Sequence, residues 1–140
     1  MDLLIRPYEG IGPVTLGMDR AEVRSVLGGA VRSFKKSPDS KAPTDAFDEQ
    51  GLHVYYDDAG RAEAIEVASP ATPILEGRAL IGRPFEELRH WLEQMDPEIQ
   101  VDDAGLTAPS LGIGLYAPAA TASPSDPIEG VIVFKRGYYD

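Results

Sequence analysis

Apolar residues recur at helical spacing in two places along this chain and alternate with polar ones in several others. The first helical stretch follows Met18-Asp19. Val23, Val26 and Leu27 fall on one face, and Gly28-Gly29 closes the turn in a conformation that glycine tolerates. Asp19 is placed to cap this helix, and Glu22 three residues later completes a capping box. Met18 and Val23 are spaced to form a hydrophobic staple. So short a helix is marginal in water by itself, so it must lean on a sheet. The second stretch starts at Pro84, which suits a first helical position. Phe85, Leu88, Trp91, Leu92 and Met95 follow at helical spacing. Glu86 and Glu87 lie where negative charge suits the helix dipole, and Pro97 ends the run. This is the heavier apolar face, and Leu88 and Trp91 are predicted core residues.

Strand patterns follow each helix. In the first half they cover residues 30–34, 46–48, 52–56 and 61–68. Leu52, Val54 and Tyr56 alternate with His53 and Tyr55, so the two sets face opposite sides of a sheet. Asp57-Asp58-Ala59-Gly60 is a turn, with glycine supplying positive φ. In the second half strands are predicted at 99–101, around Leu106, at 111–116 and at 131–134. Tight connections imply antiparallel meanders. Residues 69–73 read as a linker, because Pro70 and Pro73 stop helix and central strand alike. Residues 35–44 and 118–127 are polar, proline-broken loops. The first of them carries Lys35, Lys36 and Lys41 as a local positive patch. Gly10 and Gly12 do not form a dinucleotide loop, since no clear strand leads in and no third glycine has the required spacing.

The halves repeat. Leu16-Gly17, Glu22-Val23-Arg24 and Leu27 are matched by Ile81-Gly82, Glu87-Leu88-Arg89 and Leu92, at a constant offset of 65. Gly51 and Tyr55 match Gly112 and Tyr116 at an offset of 61. Similarity at fixed spacing points to a duplicated unit. The expected fold is α+β: two tandem helix–meander units, residues 1–68 and 69–140, in one compact domain. Their strands are expected to form one antiparallel sheet with both helices on one face.

Composition bounds the function. The chain has 140 residues, 43% hydrophobic and 26% charged, with 13 Lys and Arg against 23 Asp and Glu. A formal charge of −10 disfavours nucleic-acid phosphates and anionic membranes and suits a basic protein partner. Without cysteine, disulfides, thiol catalysis and cysteine-held zinc are excluded. The first residues have no basic segment ahead of an apolar one, and no apolar run approaches the roughly 20 residues of a membrane span. A cytoplasmic protein is the expectation.

Catalytic patterns are sparse. The two histidines, His53 and His90, have no His-x-x-x-His spacing, and no serine lies in a Gly-x-Ser-x-Gly elbow. Neither copy of Asp-Asp-Ala-Gly has the alternating acids and distal Glu of a calcium loop. No cofactor or metal site is expected. His53, Tyr55 and Asp57 alternate along one strand and suit proton transfer if they converge. The favoured reading is instead a non-catalytic binding surface made by His53, Tyr55 and Tyr116 on the sheet face away from the helices. The alternatives are a small-ligand pocket on that face and an enzyme using His53 with Asp57.

Gly12, Leu16-Gly17-Met18, Glu22-Val23 and Leu27-Gly28, followed by a meander, make a short motif. It resembles the helix-plus-sheet unit shared by the β-lactamase inhibitory proteins and the small outer-membrane assembly lipoproteins. The inhibitory proteins carry that unit twice. This chain departs from them in lacking a secretory signal, a lipidated cysteine and a disulfide pair. The resemblance implies binding to other proteins through a sheet face or loops, with no catalysis.

Overall fold

The computed structural model describes residues 2–35, 38, 43–118 and 123–138. In chain order these form strands β1 (Asp2–Arg6), β2 (Gly10–Ile11) and β3 (Val14–Thr15), then helix α1 (Arg20–Leu27). Strands β4 (Arg32–Phe34), β5 (Thr44–Phe47), β6 (Leu52–Tyr56) and β7 (Ala62–Ala68) follow. Next come β8 (Thr72–Leu75), β9 (Arg78–Ala79) and helix α2 (Phe85–Met95). The chain finishes with β10 (Gln100–Asp102), β11 (Gly105–Ala108), β12 (Ile113–Tyr116) and β13 (Gly130–Phe134). The protein is mixed α+β, dominated by sheet.

The strands make two sheets, not the single one expected. An eight-stranded sheet runs β10-β11-β12-β13-β7-β6-β5-β4, with every neighbour antiparallel. It consists of two four-stranded meanders joined where β13 pairs with β7. A smaller sheet of five short strands runs β3-β2-β1-β8-β9. Here β1 pairs antiparallel with β2 and parallel with β8. Two segments account for the difference. Leu3 and Ile5 alternate with exposed residues, which makes the N-terminal segment a half-buried strand. The segment read as a linker, residues 69–73, runs into β8, whose second residue is Pro73. A strand residue's N–H and C=O point to the same side, and the Pro73 carbonyl accepts from Leu80 N at 3.1 Å. The missing donor therefore faces the end of the short β9 ladder and leaves the pairing with β1 intact.

One hydrophobic core joins these parts. Val23 of α1 and Leu88 and Leu92 of α2 pack with Leu52, Val54, Ile65, Val67, Ile113, Leu115, Val131 and Val133 from one face of the large sheet. Leu3, Ile5, Ile11, Val14 and Leu75 of the small sheet belong to the same cluster. Both halves of the chain thus share one core.

Helix α1 begins as its sequence dictates. Asp19 accepts from Glu22 N at 2.8 Å, and Glu22 accepts from Asp19 N at 3.4 Å. Gly28 follows at φ 62°. The apolar face is narrower than expected, because Val26 is 43% exposed and only Val23 is fully buried. The helix is fastened by charge instead. Arg20 and Arg24 both donate to the carboxylate of Asp45 on β5, with shortest contacts of 2.9 Å. Ser33 Oγ at 2.8 Å and Tyr56 OH at 2.9 Å complete its shell. Burial by itself would raise the pKa of Asp45, but these donors hold the carboxyl well below its ordinary range. Burial, followed by the Asp45 hydrogen bond, pushes the Tyr56 phenol upward, so it stays a donor.

Helix α2 buries Phe85, Leu88 and Leu92. Trp91, expected in the core, is only half-buried, and the Arg78 guanidinium lies over its ring at 4.5 Å. Asp96 closes the helix from a buried position. It accepts from Glu98 N at 2.9 Å and Ser110 N at 2.8 Å, tying the helix end to the turn before β12.

Candidate functional site

The large sheet has a second face, turned away from the core. Pairing across the sheet aligns His53 with Glu66, Ile132, Gly114 and Thr107 in one row. A second row holds Tyr55, Ala64 and Phe134, and a third holds Ala68, Gly130, Tyr116 and Gly105. His53, Tyr55 and Tyr116 therefore share this outer face, while their sequence neighbours Leu52, Val54 and Leu115 point into the core. Tyr116 is 51% exposed.

The face is hollow where two of its strands carry glycine, beside the side chains of Glu66 and Ile132. Gly114 and Gly130 form the floor of a cavity of about 310 Å³, walled by Tyr55, Glu66, Asp102, Tyr116 and Tyr138. A Cβ on Gly114 would come within 2.8 Å of Ile132 Cγ2, so the Ile132 side chain leans over this glycine. A second hollow of about 390 Å³ continues along the face past Tyr8 and Phe134, and Asp102, Thr107 and Tyr138 line both.

Aromatic rings shape the second hollow. Tyr8 meets Phe134 edge-on at 6.0 Å, and Tyr138 stacks on Phe134 at 5.8 Å. The Tyr8 hydroxyl donates to the Pro109 carbonyl. Gly112, at φ 69°, is required beneath this ring, because a Cβ there would lie 2.7 Å from it. At the rim the Arg136 guanidinium sits 4.2 Å above the Tyr8 ring.

The polar groups form a chain. Tyr55 OH donates to Glu66 Oε1 at 3.2 Å, and His53 Nδ1 lies 3.8 Å from the same oxygen. His53 Nε2 is 3.6 Å from Asp48 Oδ1, and Arg32 Nε donates to Asp48 Oδ2 at 3.0 Å. The Arg32 hydrogen bond and charge, reinforced by His53, hold the Asp48 carboxyl below its ordinary range. Burial and the neighbouring Glu63 and Glu66 carboxylates push the Tyr138 phenol upward. The wall is made of phenols with carboxylates among them. Among the described residues, neither hollow is lined by Lys or Arg.

The proposed pairing of His53 with Asp57 is not assembled. Asp57 lies beyond the strand end and accepts from Ala59 N at 2.9 Å and Arg61 N at 3.0 Å, with Lys135 Nζ at 3.4 Å. Its carboxyl is held below the ordinary range mainly by the Arg61 backbone donor. Asp57 stabilises its turn, while His53 faces Asp48 and Glu66. His90 sits elsewhere, at a cleft of about 530 Å³ between α2 and β10. Among the described residues there is no group of three or more His, Asp or Glu able to hold a metal ion. Nor, among them, is any helix long and apolar enough to cross a membrane.

Of the two loops singled out earlier, residues 36, 37, 39–42 and 119–122 lie outside the described residues. Glu66, Asp102, Tyr8 and Tyr138 join the face without having been singled out from sequence. Glu66 was within reach, since it lies between inward-facing Ile65 and Val67. Asp102 signals only a turn, because its carboxylate accepts from Ala104 N and Gly105 N. Tyr8 and Tyr138 lie in turns near the chain ends, where no periodicity marks them. No family model, curated protein or solved structure matches this chain.

Proposed function

We propose that this chain is a non-catalytic protein-binding module of inhibitor or immunity type, acting in the cytoplasm on a basic partner through its outer sheet face. The observation that carries the reading is the glycine-floored hollow walled by Tyr55 and Tyr116. Tyrosines held by a rigid sheet offer large contact area at small ordering cost. The formal charge of −10 steers a basic partner toward the protein.

Duplication belongs to the same proposal. The hairpin of β2 and β3 pairs Gly10 with Thr15, and that of β8 and β9 pairs Ile74 with Ala79, at an offset of 64. Tyr55 opposite Ala64 corresponds to Tyr116 opposite Gly130. On this reading an approximate twofold axis passes beside the Glu66–Ile132 pair, with one tyrosine on each side. The position of Asp45 in the first unit is taken by Leu106 in the second, so the units have diverged where α1 is fastened. Each unit supplies one tyrosine to a shared face, an arrangement in keeping with the twice-used unit of the β-lactamase inhibitory proteins.

A partner recovered by affinity capture tests this in a nuclear magnetic resonance titration. Amide shifts concentrated at His53–Tyr55, Glu66, Thr107, Gly114–Tyr116 and Gly130–Ile132 are expected. Shifts confined to the helices or the loops would contradict it. A second reading, a small ligand in the same hollow, has the volume of about 310 Å³ in its favour. A melting shift with a small molecule and none with a protein partner would select it.

A further inference from the structure

The outer groove has a chemistry that specifies more than a protein. Its carboxylates, Glu66 and Asp102, stand on opposite sides of a glycine floor, and Tyr55, Tyr116 and Tyr138 wall it. No cation among the described residues lines it, although the chain's own Arg136 lies on the Tyr8 ring 4.2 Å away at the rim. That contact seats a guanidinium on a tyrosine ring of the adjoining hollow. The face of a tyrosine ring attracts a cation, and nearby carboxylates strengthen the attraction.

We propose that this groove seats arginine or lysine side chains carried by an extended segment of the protein partner. One cation lies at Glu66 and another at Asp102, which stand four strands apart in the sheet, and their aliphatic stems lie against the tyrosine rings of the wall. The adjoining hollow, which shares Asp102 and Tyr138, continues the track for the same segment. This inference rests on the binding role of the outer face proposed above. A second copy of the chain is a poor occupant, because each copy carries −10 and the groove is itself acidic.

The test uses the full chain and a capped, fluorescent peptide of alternating glycine and arginine. A matched peptide with citrulline, which keeps the shape and loses the charge, is the control. The arginine peptide should bind, and the citrulline peptide should bind about tenfold more weakly or worse. Glu66→Gln, Asp102→Asn and Tyr116→Ala should each weaken the arginine peptide roughly 2- to 25-fold, the range of one cation–aromatic or charge-assisted contact. Glu76→Gln, an exposed acid at the β8–β9 hairpin, should leave it unchanged. Equal binding of both peptides would overturn the proposal. So would equal losses in Glu76→Gln and the groove variants, which would mean diffuse attraction to an acidic protein. A dimer in sedimentation that Tyr116→Ala dissociates would assign the groove to a second copy and overturn it as well. If the peptide fails while a captured partner still depends on Tyr55 and Tyr116, the basic-segment inference falls and the binding face stands. If the peptide binds in the groove while the partner ignores both tyrosines, the face is not the partner's site and the proposal falls with it.

Discussion

Arg24 reaches from α1 to the fully buried carboxylate of Asp45 on β5, with Nη2 at 2.9 Å from Oδ1. Arg20 repeats the contact one helical turn earlier, so a helix with one fully buried apolar residue is held by a charged clamp. Two half-exposed guanidiniums around one buried carboxylate make its loss costly in a specific way. The Tyr56 and Ser33 hydroxyls lose their acceptor while the arginines remain.

Asp45→Ala should therefore destabilise by about 2–4 kcal/mol, somewhat under the full cost of breaking a buried pair because the arginines still reach water. Chemical denaturation reads this directly. An unchanged midpoint would show that α1 is held by packing and not by the clamp.

The same carboxylate gives a dependence on pH. Its pKa is depressed in the folded protein, so its contribution is complete above the unfolded value of about 4 and is lost progressively as pH falls below it. The stability gap between wild type and Asp45→Asn should narrow as pH drops through about 4 and below. A gap constant across that range would contradict the clamp's ionic character.

On α2, Leu88→Ala should cost about 2–5 kcal/mol, as expected of a fully buried leucine. Trp91→Ala should cost roughly 1–2 kcal/mol, since the ring is half-buried and loses mainly its Arg78 contact and partial packing. Denaturation midpoints that reverse this order would place Trp91 in the core after all.

How far these relationships can be read from sequence depends on how local they are. Alternation from Leu52 to Tyr56 sets the strand and its two faces, and Asp19 with Glu22 marks the start of α1. Those signals lie within a few residues of what they determine. Helical spacing locates the apolar face of α2 but not how far Trp91 overhangs the sheet. Asp45 is the larger omission. It shares a face with Phe47 two residues on, and Arg20 and Arg24 are one helical turn apart. Only their juxtaposition across the sheet edge shows that the three belong together. The pairing of β1 with β8 joins residues 70 apart, Asp2 with Thr72, and no periodicity announces it. At the candidate site, parity found His53, Tyr55 and Tyr116. Tyr8 and Tyr138 arrive through turns whose placement is tertiary.

Gly130 offers a separate test of the groove. A Cβ there would meet only ordinary contacts, the closest being Val67 O at 3.5 Å and Tyr116 Cβ at 3.7 Å. Gly130→Val should leave stability within about 1 kcal/mol of wild type, with β-branching favouring the strand. It should weaken partner binding about tenfold or more by filling the floor. Full affinity in a folded Gly130→Val protein would mean that the partner does not enter the hollow.

The most direct measurement is the dissociation constant of the captured partner for wild type and for the Tyr55→Ala, Tyr116→Ala double variant, with circular dichroism on both. If the outer face is the interface, the double variant keeps its fold and binds roughly 30-fold more weakly or worse, as expected for loss of central aromatic anchors. A folded double variant with unchanged affinity would contradict the assignment and place the interface on another surface of the protein.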